Sequence, residues 1–255
     1  MTRTLDHISD LHFCRVDEAA TAALLARLND DPADLVVVSG DLTMRARNRE
    51  YRAARAFLDA LRAPWFAIPG NHDITAYYPW ERFLDPFGRW RSHISEEPEP
   101  VFADAAIQVV GLNTVARGHL TTLEWENGRV PRTGLLRALR RLRRLPEGPF
   151  RIVVAHHPFL APPERPNTPV VARGARALRD LARAGVRLVL AGHLHQGYER
   201  VHGVEAGEGS SLTVLQAGSA TSTRLRGESN AYNRIVVEGG TARWTTHRWD
   251  GAAWR

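Results

Sequence analysis

Two periods of apolar residues alternate along most of the chain. Short runs such as 35–39 hold β-branched residues with no polar break, which is typical of strands buried on both faces. Longer segments place an apolar residue at every third or fourth position, and this spacing predicts amphipathic helices. The predicted strands are 4–9, 35–39, 65–68, 101–103, 107–112, 152–155 and 188–191, and the predicted helices are 16–28, 49–61 and 134–145. A further helix is predicted with Thr168 as its cap, Pro169 as its first residue and Gly185 at its end.

The last part of the chain has a strand pattern only. The predicted strands there are 198–201, 212–216, 232–237 and 241–248. Strand–helix alternation followed by a β-rich end predicts an α/β (α+β) fold, in which mixed sheets pack together under outer helices. No internal repeat and no linker rich in Gly and Ser interrupts the 255 residues, so one domain over 1–255 is expected.

The composition excludes several classes of protein. Hydrophobic residues make up 44% and charged residues 24% of the chain, which is ordinary for a globular protein. No apolar run approaches the ~18 residues that a membrane helix needs, and the N-terminus lacks a signal-peptide pattern. The single cysteine, Cys14, excludes an internal disulfide and a four-cysteine zinc site, and a buried thiol is expected there. These features predict a cytoplasmic protein.

All 34 residues counted as lysine or arginine are arginine, because the sequence contains no lysine. This excludes a phosphate-loop lysine, a Schiff base and a lysine general base. With 28 acidic residues the formal net charge is +6, which suits an anionic partner such as nucleic acid, an anionic lipid or a phosphorylated substrate. A compositional bias that replaced every lysine explains the same counts, so charge alone selects none of these partners.

Polar residues of metal-binding type follow five of the predicted strands. They are Asp10 and His12, then Asp41, then Asn71, His72 and Asp73, then His156 and His157, and finally His193 and His195. In an open α/β sheet, ligands bind at the carboxyl ends of the strands, so these side chains are expected to meet at one edge. Carboxylate, imidazole and amide oxygen suit ions such as Mn, Fe and Zn rather than soft thiolate metals. The pattern predicts a site for two metal ions, whose positive charge favours an anionic phosphate ester.

The order of these motifs, which extends to Ala231-Tyr232-Asn233-Arg234-Ile235, resembles the calcineurin-like metallophosphoesterase superfamily. Gly40-Asp41-Leu42-Thr43 and the late Tyr-Asn-x-Ile segment look like the bacterial branch that includes class III cyclic-nucleotide phosphodiesterases. The resemblance implies a four-layer α-β-β-α sandwich with a dinuclear site at one edge. It implies the following roles: Asp10, His12, Asp41 and His195 hold the first metal, Asp41 bridges, Asn71, His156 and His193 complete the second metal, and His72 is the general acid.

The activity that the resemblance implies is phosphodiester hydrolysis. The narrower expectation is that the substrate is a cyclic nucleotide. A hydroxide that bridges the two ions attacks phosphorus, and His72 protonates the leaving group. The alternatives are a nuclease, a nucleotide or lipid-precursor pyrophosphatase, a phosphomonoesterase and a non-catalytic scaffold. Protein Ser/Thr phosphatases of the superfamily carry Gly-Asp-x-x-Asp-Arg-Gly, which this chain lacks after Asp41, so that activity is disfavoured. The partner that orients His72 is left open, with Asp73 as a candidate.

Other residues have both a functional and a structural interpretation. His157 could reach substrate, and Arg224 could touch the substrate phosphate. Segment 74–90 is rich in aromatic residues and forms either a wall on which a ring stacks or a local hydrophobic cluster. The arginine-rich face of helix 134–145 either binds a polyanion or is simply solvated.

Overall fold

The computed structural model describes residues 1–117, 126–203 and 211–255. Every strand predicted from the sequence has a counterpart there. The strands in these ranges are β1 (Thr2–Ile8), β2 (Leu35–Val38), β3 (Trp65–Ala67), β4 (Val101–Ala103), β5 (Ile107–Gly111), β6 (Phe150–Val154), β7 (Val186–Ala191), β8 (Tyr198–His202), β9 (Leu212–Gln216), β10 (Ala231–Glu238) and β11 (Thr241–Arg248).

Two mixed sheets contain these strands. The first has the order β11-β10-β1-β2-β3, and the second has the order β4-β5-β6-β7-β9-β8. The central strands β1, β2 and β3 run parallel in one sheet, as do β5, β6, β7 and β9 in the other. Antiparallel pairs occur towards the edges, at β10, β11, β4 and β8. Because the central strands are parallel, their carboxyl ends reach the same edge of each sheet.

Helices cover the outer face of each sheet. The helices of the described ranges are α1 (Glu18–Asp30), α2 (Asn48–Asp59), α3 (Pro79–Leu84), α4 (Gly88–His93), α5 (Arg132–Arg144) and α6 (Gly174–Arg183), with a 3₁₀ helix at Asn71–Asp73. One apolar core joins α1, α2 and α4 to the first sheet, and another joins α5 and α6 to the second. These layers confirm the expected four-layer α-β-β-α sandwich.

A third apolar core lies between the two sheets. It interleaves side chains such as Leu5 and Val37 of the first sheet with Ile152 and Leu190 of the second, all of them buried. Each fully buried aliphatic side chain contributes about 1.5–3 kcal/mol through the hydrophobic effect. The packing of this layer therefore holds the two sheets together along the length of their central strands.

The helix predicted from Thr168 is wrong at its start. Thr168 and Pro169 lie in a turn segment, and the helix begins only at Gly174, after Arg173 in a left-handed conformation with φ 68°. The backbone N–H of Val171 donates to the carbonyl of Pro158, which holds the preceding segment in a non-helical path. The expected end is nearly right, because the helix stops at Arg183 just before Gly185.

Cys14 is exposed, contrary to the expected buried thiol. Its φ of 86° places a left-handed turn directly after Phe13. Phe13 instead takes the buried position in the core of the first sheet. None of the helices in the described ranges is both long and apolar enough to cross a membrane.

The arginine face of α5 is partly paired within the chain. Arg137 lies 2.8 Å from the carboxylate of Glu99, and Arg141 lies 3.2 Å from that of Glu97. These contacts tie α5 to the acidic segment before β4, so the two arginines have a structural partner.

Candidate metal centre

The candidate site lies where β1, β2, β3, β6 and β7 end. Its backbone turns sharply, because five of the polar residues predicted there have left-handed φ angles: Asp10 (53°), His12 (50°), Asp41 (55°), His193 (78°) and His195 (57°). This conformation is uncommon outside glycine, although Asp and His adopt it more readily than most residues. Strained backbone of this kind concentrates at functional sites. The turns bring both Asp10 and His12 to one point, as the sequence requires for a shared ion.

A first cluster joins Asp10, His12, His195 and Asp41. Nε2 of His12 lies 3.0 Å from Nε2 of His195 and 3.6 Å from both Asp10 Oδ1 and Asp41 Oδ2. Nε2 of His195 lies 3.3 Å from Asp10 Oδ1. Ligand atoms that share one ion at about 2.1 Å lie roughly 3.0–3.4 Å apart. The cluster therefore has the spacing of a metal site.

The hydrogen bonds of the two histidines suit a cation between them. Nδ1 of His12 faces the carbonyl of Thr43 at 3.3 Å, and Nδ1 of His195 faces the carbonyl of Arg224 at 2.8 Å. Because a carbonyl only accepts, Nδ1 is assigned the proton in both rings. The two Nε2 atoms then face each other with lone pairs. Asp10 Oδ1, buried beside them, has no hydrogen-bond partner among the described residues, so a shared cation would satisfy all three atoms.

A second cluster joins Asn71, His156, His193 and again Asp41. Asn71 Oδ1 lies 3.0 Å from His156 Nε2 and 3.0 Å from His193 Nδ1. His156 Nε2 also lies 3.3 Å from Asp41 Oδ2. Nδ1 of His156 faces the carbonyl of Ser39 at 2.8 Å, so its Nε2 is free to bind an ion. Asp41 Oδ2 thus lies in both clusters.

The carboxylates and histidines of the site shift one another's pKa values. Burial alone would raise the pKa of Asp10 and Asp41, but the neighbouring histidines, chiefly His195 and His156, lower both. Burial opposes a charge on His156, yet the carboxylates of Asp41 and Asp10 raise its pKa to about 9. The polypeptide thus places a positive charge on His156 against its carboxylates. A metal ion would supply that charge instead.

The imidazole of His72 lies beside the first cluster. Its Nδ1 faces the carbonyl of Met44 at 2.8 Å, and its backbone N–H donates to Asp41 Oδ1 at 2.9 Å. The ring centroid is 4.9 Å from that of His12, and Nε2 lies 3.4 Å from Arg224 Nη1. The carbonyl of Met44 therefore orients the ring and leaves Nε2 towards the cavity.

Asp73 does not orient His72, contrary to the candidate role predicted for it. Its buried carboxylate accepts hydrogen bonds from the backbone of Leu42, Thr43 and Gly70 at 2.8–3.1 Å. It thereby clamps the loop after β2 to the loop after β3. The sequence showed the Asp but not its partners Leu42 and Thr43, which lie 31 and 30 residues earlier in the chain.

A cavity of about 490 Å³ opens in front of the two clusters. Its lining includes Asp41, Asn71, His72, His193, His195 and Arg224, together with Arg45, Tyr77, Glu126, Thr168, Pro169 and Arg226. The aromatic segment divides: Tyr77 lines the cavity and is 57% exposed, Trp80 is 80% exposed, and Trp90 is fully buried in the first core. Tyr77 thus fits the interpretation of the segment as a wall on which a ring stacks, and Trp90 fits its interpretation as part of a hydrophobic cluster.

The structure places His157 behind the second cluster. Its ring is fully buried, its Nδ1 lies 2.8 Å from Thr114 Oγ1, and its centroid lies 4.8 Å from that of His193. It is not among the residues that line the cavity, so its predicted contact with substrate stays a prediction. Arg224 does line the cavity.

A family model described as calcineurin-like phosphoesterase matches residues 3–197. The chain belongs to the calcineurin-like phosphoesterase family. That membership places it among the phosphoric ester hydrolases, as the order of its motifs predicted.

Two curated relatives differ in how much of each chain they match. A probable cyclic nucleotide phosphodiesterase of Synechococcus is 27% identical over 235 residues, which cover 85% of this chain and 82% of the relative. A glycerophosphodiester phosphodiesterase of Enterobacter lignolyticus is 41% identical over 85 residues, but they cover only 29% of this chain and 31% of the relative. Both relatives are named as phosphodiesterases, and the chain spans about a third of the second one.

The fold is also that of a solved structure from a plant. A purple acid phosphatase of yellow lupin matches with a TM-score of 0.71 at 11% identity, and the match covers all of this chain and 53% of that one. At this identity the likeness supports the fold alone.

The sequence indicated which side chains form the two clusters. It did not indicate the groups that hydrogen-bond to those side chains and orient them. The supports are mostly backbone carbonyls, of Ser39, Thr43, Met44 and Arg224, which carry no signal in the residue type. The glycines before the predicted ligands were the available signal. A Cβ on Gly192 would overlap the hydroxyl of Ser9 and come within 2.7 Å of Asp10 Oδ2.

Gly192→Ala is therefore expected to displace Asp10 and His193 and to lower metal content and activity by at least ~10-fold. Metal analysis of the purified variant checks this, with circular dichroism to confirm folding. Gly197→Ala is the matched control, because a Cβ there meets its nearest neighbours at 3.8 Å or more. Normal metal binding by Gly192→Ala would show that the close approach is not required.

Proposed function

We propose that the chain is a dinuclear metal-dependent phosphodiesterase. The observation that carries this proposal is the position of Asp41 Oδ2, within 3.6 Å of His12 Nε2 and 3.3 Å of His156 Nε2, and so common to both clusters. Asp10, His12 and His195 would hold the first ion, Asn71, His156 and His193 the second, and Asp41 both. The scaffold alternative is disfavoured because the set of ligands is complete.

The donor set fits divalent or trivalent Mn, Fe or Zn. It offers imidazole, carboxylate and one amide oxygen and no thiolate, which excludes soft-metal sites. Two ions held there would neutralise charge on the phosphoryl oxygens and lower the pKa of water. The residues around them hold the ligands in register: Asp73 joins the loops, and the carbonyls of Thr43 and Ser39 fix the tautomers of His12 and His156.

His72 is the proposed general acid. Its Nδ1–H is held by the carbonyl of Met44, so in the doubly protonated ring the Nε2–H is the group that can donate a proton into the cavity. It stands beside the first cluster, where a leaving oxygen of a bound ester would be within reach. Arg224, whose Nη1 lies 3.4 Å from that nitrogen, would contact the non-bridging oxygens of the same phosphate.

A diester substrate is favoured over a monoester by the relatives. Both curated relatives described above are named as phosphodiesterases. A cavity of about 490 Å³ is in the range of pockets that hold one drug-sized ligand, so it has room for a substrate the size of a nucleotide. A cyclic nucleotide is the narrower proposed substrate, and Tyr77 at the wall offers a surface on which its base could stack. Glycerophosphodiesters are the second candidate.

Activity is expected to depend on about two metal ions per chain and to prefer a diester. Protein stripped with chelator should lose hydrolysis of bis(p-nitrophenyl) phosphate and regain it on addition of Mn²⁺, with a lower rate on p-nitrophenyl phosphate. Elemental analysis gives the stoichiometry. Less than one equivalent of transition metal, with no activity after Mn²⁺ or Fe²⁺ is restored, would contradict the enzyme proposal, and a faster rate on the monoester would contradict the diester preference.

A further inference from the structure

Two loops bring three arginines to the mouth of the cavity. Arg45 comes from the loop between β2 and α2, and Arg224 and Arg226 come from the loop between β9 and β10. In the part of the chain that the structure describes, no carboxylate lies within 4.0 Å of any of these guanidinium groups. Glu126 is the one carboxylate in the lining besides Asp41. Among the described residues, these three guanidinium groups therefore have no ion-pair partner.

Hydrogen bonds hold the backbone of each loop, so the backbone positions from which the arginine side chains extend are defined. The N–H of Arg45 donates to the buried carboxylate of Glu50 at 2.7 Å, and the N–H of Ala46 donates to Thr43 Oγ1 at 3.1 Å. The Arg45 guanidinium lies 5.9 Å from the centroid of the Tyr77 ring. Preorganised groups lose less entropy when they bind a ligand than mobile ones do.

The loop of the other two arginines is tied to the metal centre itself. The carbonyl of Arg224 accepts from His195 Nδ1 at 2.8 Å, and its N–H donates to Ser222 Oγ at 3.1 Å. The carbonyl of Arg226 lies 3.4 Å from Gln196 Nε2. These two hydrogen bonds join the loop directly to the segment that carries His195.

The reacting phosphate of a diester has one negative charge and needs only one of these arginines. Arg224, which is next to His72, is in place for it. Arg45 and Arg226 are then left at the rim with no anion to bind. Guanidinium groups bind phosphate and carboxylate through paired, charge-assisted hydrogen bonds.

We propose that Arg45 and Arg226 select phosphodiesters that carry a second anionic group, such as a phosphate or a carboxylate, on the part of the substrate that lies at the rim. The inference rests on the proposed phosphodiesterase function and narrows its substrate class: among cyclic nucleotides and glycerophosphodiesters, it favours those that carry a further phosphate or carboxylate over those whose only charge is that of the diester. A diester whose second group is neutral or cationic is then a poorer substrate, because nothing compensates the charge of the two arginines.

Three p-nitrophenyl diesters with the same leaving group test this with the Mn²⁺-loaded protein. Thymidine 5′-(p-nitrophenyl phosphate) has a neutral second group, its 3′-phosphate has an anionic one, and p-nitrophenyl phosphorylcholine has a cationic one. We expect kcat/KM for the 3′-phosphate to exceed that for the neutral diester by about 10-fold, mainly through KM. The cationic diester should be the poorest, and the preference should shrink as salt is raised, since the two arginines are exposed.

Arg45→Gln, Arg226→Gln and the double variant should reduce the ratio between the anionic and neutral diesters towards one. Arg140→Gln, an exposed arginine on α5, is the matched control and should keep the wild-type ratio. Calorimetric affinity of the Mn²⁺-loaded protein for thymidine 3′,5′-bisphosphate, compared with that for thymidine 5′-monophosphate, gives a readout besides the rate, and the same variants should remove the difference.

The outcomes separate this inference from the proposed function. If none of the three diesters is hydrolysed, the phosphodiesterase proposal fails. If all three are hydrolysed at similar kcat/KM, or if the arginine variants keep the wild-type ratio, the phosphodiesterase proposal stands and the anion selection is wrong. A preference for a nucleoside 3′-phosphate that is not shared by a p-nitrophenyl diester with a carboxylate would restrict the class to phosphates.

Discussion

Asp41→Asn is expected to lower both the metal content and the rate more than any other single ligand change. Its Oδ2 lies in both clusters, and its Oδ1 accepts the backbone N–H of His72 at 2.9 Å. The neutral amide removes one of the two buried carboxylate charges that would offset the two ions. The expected loss in kcat/KM is at least ~10²-fold, above the range seen when only an outer partner of a ligand is changed.

Asn71→Asp is the matched comparison, because it makes the opposite change in charge at the same centre. Its Oδ1 lies in the second cluster only, near His156 and His193. Metal content should then stay near that of the unchanged protein, and the rate should fall less than for Asp41→Asn. Elemental analysis and kcat/KM on bis(p-nitrophenyl) phosphate measure both. Two bound ions and near-normal turnover in Asp41→Asn would show that Asp41 does not bridge.

Most of the fold and most of the candidate ligands could be predicted from local sequence. A buried strand such as β2 is visible in its unbroken apolar run, and a ligand that follows a strand is visible in the next few residues. The edge at which these residues meet follows from the parallel direction of the strands. This is why Asp10, Asp41 and His193 could be predicted to converge although they lie far apart in the chain.

What the sequence did not predict depends on contacts between distant segments. The carbonyl of Arg224 that orients His195 and the carbonyl of Met44 that orients His72 belong to backbone whose residue type is irrelevant. The start of α6 was misplaced because Thr168 and Pro169 have the local pattern of a cap, whereas the anchoring of Val171 to Pro158 prevents a helix there. The prediction that Cys14 is buried was wrong. The chain adopts a left-handed backbone conformation at Cys14, which the residue type does not indicate, and the thiol is exposed.

His72→Ala is expected to keep both metals while kcat falls by an amount that depends on the leaving group. The ring is held by the carbonyl of Met44, and its Nε2 points to Arg224 and the cavity, so its loss removes a proton donor and no ligand of the proposed set. An ester with an alkoxide leaving group needs that proton and should lose roughly 10²–10⁴-fold. A p-nitrophenyl ester leaves as a stable anion and should lose much less.

His193→Ala separates this role from metal binding. Its Nδ1 lies 3.0 Å from Asn71 Oδ1 in the second cluster, so this variant should lose one ion and fail on both kinds of ester. His72 itself also lies close to His12 and Asp41, with ligand atoms of the three residues within 4.8 Å of one another. The measurement therefore pairs metal content with kcat on the two leaving groups. Loss of one metal from His72→Ala, with equal losses on both esters, would identify His72 as a ligand, because a proton donor discriminates between leaving groups and a ligand does not.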